Sequence, residues 1–182
     1  LCLLVLGLVY WAPREPADLS LAAPKPIGDD LDHYLQDAES AYSDIKPSLE
    51  KRIIWANDAK EKTLLSVVYL HGFSAASEEI RPVPDLVSNA LGSNLFFTRL
   101  QGHGREDKAL VEGTVAGWMA DLQEAILIGE RLGERVLLIS TSTGGTLAAV
   151  AALNPKLSQK LAGSVFVSPN FGILDFRARF LT

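Results

Sequence analysis

The sequence is poor in the residues that staple or metallate a small domain. Among 182 residues it has one cysteine, Cys2, and three histidines, His33, His71 and His103. A single thiol permits no internal disulfide and no cysteine-based metal site. The histidines are too widely spaced to form a metal pair on one helix, so neither a metal nor an organic cofactor is implied. No dense Lys/Arg cluster occurs, and a net charge of −5 leaves no electrostatic footprint for nucleic acid. There is no internal repeat and no long low-complexity segment. The remaining class is a globular chain with 48% hydrophobic residues, long enough for one domain with a real core.

The apolar run Leu1–Trp11, interrupted only by Gly7, is too short to cross a bilayer alone, which takes about 20 residues. It has the length of a signal-peptide apolar region. The chain begins with Leu and lacks a basic start, so the true start is expected upstream. The run is read as an export signal or membrane anchor; the alternative is a buried helix or strand of a cytoplasmic protein. Cys2 precedes the run, which argues against a lipoprotein cleavage site. Ala12–Pro26, with four prolines, reads as an irregular linker. Residues 1–26 are therefore set apart from a domain at 27–182.

Within that domain, Gly28–Tyr42 carries Leu31, Tyr34, Leu35, Ala38 and Tyr42 at helical spacing behind the capping residues Asp29 and Asp30. Lys51–Ala56 reads as a strand, and Lys62–Leu70 (KTLLSVVYL) as a stronger one. A helix is expected from Pro84 or Asp85 to Gly92, then a strand at Asn94–Leu100 and a glycine-rich turn at Gln101–Arg105. Thr114–Leu132 is an amphipathic helix with Trp118, Leu122, Ala125, Ile126 and Gly129 on one face, closed by Gly133. Asp121 on that helix reads as a surface residue, Trp118 as core, and His33 as solvent-facing. Leu161–Ser168 reads as a further buried strand. Alternating strands and helices imply a mostly parallel sheet with helices on both faces.

The organising stretch is Arg135–Ala152, RVLLISTSTGGTLAAVAA. Val136–Ser140 is a buried strand, Thr141–Gly145 a run of small residues, and Thr146–Ala152 an Ala-rich helix former. Strand, tight turn and helix is the context of a nucleophile elbow. Ser140-Thr141-Ser142-Thr143-Gly144 fits the pattern small–any–serine–any–glycine, with Ser140 where glycine is usual. The chemically bland alternative is a Ser/Thr-rich turn with an N-cap. His71, His103 and Ser142 each follow a strand, which gathers them at one edge of the sheet.

In order, a strand into His71-Gly72, a strand into Gly102-His103-Gly104 and the elbow at Ser142 resemble the α/β-hydrolase superfamily, in its monoacylglycerol lipase-like and serine aminopeptidase-like branch. The resemblance covers roughly Ile53–Gly172. It implies Ser142 as the acyl-forming nucleophile. The backbone N–H groups of Phe73 and Thr143 would form the oxyanion hole, with Gly72 turning the chain sharply enough to aim the first. His71, Gly72, His103 and Gly144 would shape the site. The resembling order of the triad is serine, acid, histidine. All three histidines precede Ser142, and Asp175 is a poor match for the acid, opening a cap instead; Arg177 and Arg179 read as solvated charges or partners of Asp175. The sheet is therefore expected to be incomplete at the C-terminus and the chain inactive alone. A small-molecule or lipid ester is the implied substrate. A non-catalytic binding or scaffold protein that retained the elbow is the competing reading.

Overall fold

The computed structural model describes residues 17–23 and 26–172. The apolar run at residues 1–11, Cys2, Asp175, Arg177 and Arg179 lie outside the described residues. Five strands form one sheet in the order β1–β3–β2–β4–β5. The short strand β1 (Arg52–Ile54) pairs antiparallel with β3 (Asn94–Phe97). β3, β2 (Thr63–Leu70), β4 (Gly133–Thr141) and β5 (Leu161–Val167) run parallel to one another. The parallel sheet expected from the alternation of elements is present.

Each parallel crossover carries a helix. α1 (Leu31–Ser40) precedes the sheet, and Asp30 caps it by accepting from the His33 N–H at 3.0 Å. α2 (Val83–Leu91) links β2 to β3 and ends at Gly92, whose φ of 58° is left-handed and suits glycine. A 3₁₀ turn at Asp107–Glu112, not foreseen in the sequence, leads into α3 (Val115–Leu132), capped by the Thr114 hydroxyl on the Gly117 N–H. α4 (Thr143–Leu153) links β4 to β5.

The period-two alternation of strand side chains divides the core. Val68 and Leu70 of β2, Phe96 of β3 and Leu138 of β4 face α1, α3 and α4, meeting Leu35, Leu122, Ile126 and Leu147. Val67, Tyr69, Leu95 and Phe97 point the other way, toward Val87 of α2. Helices thus cover both faces, and Phe96 and Phe97 are packing residues on opposite sides of one strand.

Two local expectations are corrected, and a third holds with a different backbone. Asn94–Leu100 is strand only to Phe97; Thr98 still donates its N–H to Tyr69 O at 3.3 Å, and by Leu100 the N–H turns to the His71 ring. β5 is not buried throughout: Val165 and Phe166 are half exposed, since β5 is the outermost strand among the described residues and has a neighbour on one side only. Gly133 does close α3, but in extended backbone (φ −146°) that opens β4 directly, with no intervening loop. Its glycine is required by space: an added Cβ would lie 2.7 Å from the Leu65 carbonyl carbon, in the backbone of β2. Gly133→Ala is expected to cost about 2–3 kcal/mol through this overpacking. Gly28→Ala, with nothing within 4 Å of the new carbon, is expected to stay within about 0.5 kcal/mol of the parent in urea denaturation.

Candidate active site

The corner between β4 and α4 is a single residue. Ser142 has φ 47° and ψ −113°, a combination that an L side chain adopts only under constraint. The constraint is visible. The Ser142 N–H donates to Val167 O at 3.1 Å, which ties the corner to the end of β5. Its carbonyl accepts from Gly145 and Thr146 in α4 and from Asn170 beyond β5. The Thr146 hydroxyl closes the same junction on Asn170 O. Ser140, at the position where glycine is usual, is fully buried and spends its hydroxyl on Val165 O at 3.0 Å, so it adds a tie to β5 instead of a clash.

Glycine follows the corner because α4 starts against the end of β2. A Cβ on Gly144 would lie 2.6 Å from His71 O, and one on Gly145 2.7 Å from the Pro169 side chain. The Ser142 hydroxyl, half buried, has no hydrogen-bond partner among the described residues. Thr143 is the first residue of α4, so its N–H has no acceptor within the helix and sits at the positive end of the helix dipole.

The second strand end meets this corner at Gly72. A Cβ there would stand 3.2 Å from the Ser142 Cβ and 2.9 Å from the Glu79 carboxylate. Gly72 is not in the left-handed region, so the expected sharp turn is not its reason; close approach is. Its N–H donates to Glu79 Oε2 at 2.9 Å, and its carbonyl accepts from Ala75 at 3.3 Å. The next N–H, that of Phe73, makes no hydrogen bond among the described residues. Two unspent backbone donors, Phe73 and Thr143, therefore flank the residues that surround the Ser142 side chain.

His71 is fully buried and committed at both ring nitrogens. Nε2 accepts from the Leu100 N–H at 3.0 Å, so Nδ1 carries the proton and donates to Gly72 O at 2.9 Å. Burial holds its pKa down near 3. His103 donates from Nδ1 to Gln101 O, is likewise lowered by burial, and has an unpartnered buried Nε2. Its ring packs edge-on against Phe73 and Trp118 at 5.7 and 5.8 Å between centroids. Half-exposed Phe73 thus belongs to an aromatic wall. His33 is exposed, as expected. A cavity of about 490 Å³ adjoins the loop, with Ser74, Glu79, His103 and Arg105 in its walls; Ser142 and Phe73 are not among them.

Asp121 is a correction. It is not at the surface: it accepts from the Gln101 N–H at 2.6 Å and pairs with Lys51 at 3.2 Å, beside Glu124. Burial pushes the Asp121 carboxyl up, while the Asp121 and Glu124 carboxylates hold Lys51 protonated against its own burial. Trp118 donates to Gln101 O, so the helix fixes the turn that carries His103. Glu79, Tyr69 and Gln101 were not foreseen. Glu79 sits in a run of polar residues that reads as solvated, and no spacing signal marks it. Among the described residues no group of three or more His, Cys, Asp or Glu side chains is arranged to hold a metal.

A strained serine corner at the carboxyl edge of a parallel sheet, with free amides beside it, is the geometry of acyl-transfer sites in one large fold. The model of the alpha/beta hydrolase family matches residues 67–182. The chain belongs to the alpha/beta hydrolase family. Among solved structures it is similar to one reported for LipS and LipT, two metagenome-derived lipolytic enzymes (TM-score 0.64, 21% identity, 75% of this chain and 52% of that one). It is also similar to ferulic acid-bound Est1E from Butyrivibrio proteoclasticus (TM-score 0.56, 20% identity, 70% and 53%). At such identities the likeness is one of fold, and the chain spans about half the length of these structures. No curated protein matches the sequence. In this fold Ser142 is the strained residue at the β4–α4 corner.

Two measurements test the site's physics. Relieving the left-handed corner should offset glycine's usual entropic penalty, so Ser142→Gly is expected to be at least as stable as Ser142→Ala, although glycine ordinarily costs roughly 0.5–1 kcal/mol. A clearly less stable glycine variant would show an unstrained corner. For His71, the folded ring stays neutral to about pH 3 while the unfolded one protonates below 6.5. The unfolded state binds the extra proton, so this contribution is complete above pH 6.5 and falls as pH drops. Between pH 6.5 and 5 the parent should lose about 1.6 kcal/mol more than His71→Gln in urea denaturation. Parallel losses would clear His71 of the effect.

Proposed function

We propose that Ser142 is the nucleophile of a serine hydrolase that cleaves a carboxylic ester or related acyl substrate. The observation that carries this is the Ser142 corner itself: a hydroxyl without a partner, in strained backbone, beside two unspent N–H groups. In this reading Ser142 Oγ attacks the substrate carbonyl carbon, and the carbonyl π electrons move to oxygen. The Phe73 and Thr143 amides receive that oxyanion; a donor of this kind is worth about 3 kcal/mol of transition-state stabilisation. Collapse expels the alcohol and leaves an ester on Ser142, which water then cleaves.

The proton of Ser142 needs a base. His71 has both nitrogens engaged and burial opposes its protonation, so it orders the loop and does not take the proton. His103 is buried with Nδ1 engaged. The base and acid are read as residues of the family's later strands, following Ser142 in the order serine, acid, histidine.

The half-exposed Phe73 ring and its contacts with His103 and Trp118 support an apolar or aromatic group near the carbonyl, in keeping with a small-molecule or lipid ester. The apolar run at residues 1–11 supports export or attachment to a membrane; among the described residues no helix is long and apolar enough to cross one. The test is covalent. A fluorophosphonate probe on the full-length protein from its source should label Ser142, and Ser142→Ala should abolish both labelling and hydrolysis of p-nitrophenyl esters. Labelling that persists in Ser142→Ala would exclude Ser142.

A further inference from the structure

We propose that Glu79 is a positioning residue for this reaction: its carboxylate clamps the Gly72 peptide and so sets the aim of the Phe73 N–H at Ser142. The inference rests on the reading of Ser142 as nucleophile. It starts from a hydrogen-bonded chain across three elements. Thr141, the last residue of β4, donates from its hydroxyl to the Tyr69 hydroxyl at 3.1 Å; Tyr69, in β2, donates to Glu79 Oε2 at 2.8 Å; and the same oxygen accepts from the Gly72 N–H at 2.9 Å. Tyr69 is fully buried, and burial together with the Glu79 carboxylate keeps its hydroxyl protonated, which fixes it as the donor.

The geometry gives the chain a purpose. Gly72 and Phe73 share the stretch between the end of β2 and the Ala75 turn. Its backbone is held at the Gly72 carbonyl by His71 and Ala75, and at the Gly72 N–H by Glu79. The Gly72 carbonyl shares a planar unit with the Phe73 N–H and is held by His71 and Ala75, whereas Glu79 holds the preceding unit at the Gly72 N–H. Removing the carboxylate frees the Gly72 hinge on which the Phe73-bearing unit turns. A donor one residue further on is then mis-aimed, and oxyanion stabilisation depends steeply on aim. Ser142 and Glu79 both crowd the side of Gly72 that a side chain would occupy, an added Cβ there lying 3.2 Å from the Ser142 Cβ and 2.9 Å from the Glu79 carboxylate. Bringing a carboxylate this close to a developing oxyanion is electrostatically adverse, because like charges repel in a partly desolvated site. The charge is therefore not the useful property of Glu79; the acceptor oxygen is. Glu79 is exposed overall, so its removal opens no cavity in the core.

The test compares Glu79→Ala with Glu79→Gln, whose amide oxygen can still accept from Gly72 and Tyr69. In the full-length protein with a p-nitrophenyl ester, Glu79→Ala should lower kcat about tenfold or more with KM changed less than about threefold. Glu79→Gln should keep kcat within about threefold of the parent or exceed it, since it retains the acceptor and sheds the charge. Tyr69→Phe should lose less than Glu79→Ala, and the double variant Tyr69→Phe/Glu79→Ala should be no slower than Glu79→Ala, as expected for one chain. A Glu79→Gln variant as slow as Glu79→Ala would overturn positioning, because it would make the charge essential. Unchanged kcat in Glu79→Ala, or a loss carried by KM alone, would overturn it too. Ser142→Ala run alongside separates the two readings: if it abolishes labelling while Glu79→Ala is silent, only the Glu79 assignment fails.

Discussion

The structure depends on a meeting of backbones at the carboxyl ends of β2 and β4. These two strands share a long parallel register, from Thr63 against Gly133 to Leu70 against Ser140. Where the register ends, the chains do not separate. β4 turns into α4 at Ser142 and drives Gly144 against the Leu70 and His71 carbonyls, while β2 continues as Gly72 under the Ser142 side chain. No Cβ fits at either glycine without displacing a carbonyl or a carboxylate. The closeness that forbids side chains there packs the start of α4 and the residue after Gly72 around the Ser142 corner, the packing on which the proposed oxyanion site relies.

Such a corner must be held from outside, since its torsions are costly in isolation. β5 does much of this: Val167 and Asn170 fasten the Ser142 peptide on both sides, and Ser140 reaches across to Val165. The strand half exposed to solvent is thus also the strand that braces the strained residue. On the opposite flank, the Gln101 turn plays the same part for His103. Its N–H goes to Asp121 and its carbonyl to Trp118 and His103, and Asp121 is in turn engaged by Lys51 beside Glu124 and Tyr34. An isolated carboxylate at that depth would be costly, and pairing with Lys51 and a backbone N–H offsets the desolvation.

What can be read in the sequence follows the range of the interactions involved. The strands announce themselves through local runs such as Val67–Leu70, the helix starts through Asp30 and Thr114, and the elbow through five small residues between a strand and an Ala-rich helix. Each is decided by neighbours in the chain. Asp121 reads wrongly as a surface residue because its partner Lys51 is seventy residues away, and a polar residue on an amphipathic helix looks solvated until that partner is placed. Gly72 and Gly133 stand out as necessary, but for the wrong reason. Sequence marks a glycine, but whether it supplies a torsion or makes room depends on which backbone arrives beside it. β5 reads as a buried strand because its composition is apolar, whereas burial is a property of the neighbours a strand has.

The same distinction explains why the proposed oxyanion donors leave so faint a trace in the sequence. A backbone N–H carries no residue identity, so Phe73 and Thr143 are recognisable only by position relative to Gly72 and Ser142. On the proposed reading, the aim of the Phe73 N–H is set a layer further out, where Thr141, Tyr69, Glu79 and the His71 ring close hydrogen bonds around Gly72. Those side chains come from the ends of two strands and a loop, and no local pattern links them. A donor mounted on a loop is as well placed as the bonds that fix the loop, and here both polar atoms of the Gly72 residue are engaged while the next N–H is left free. Rigidity on one residue and a free donor on the next is the arrangement the proposed acyl transfer would use, because a preorganised donor needs no reorganisation when the charge appears.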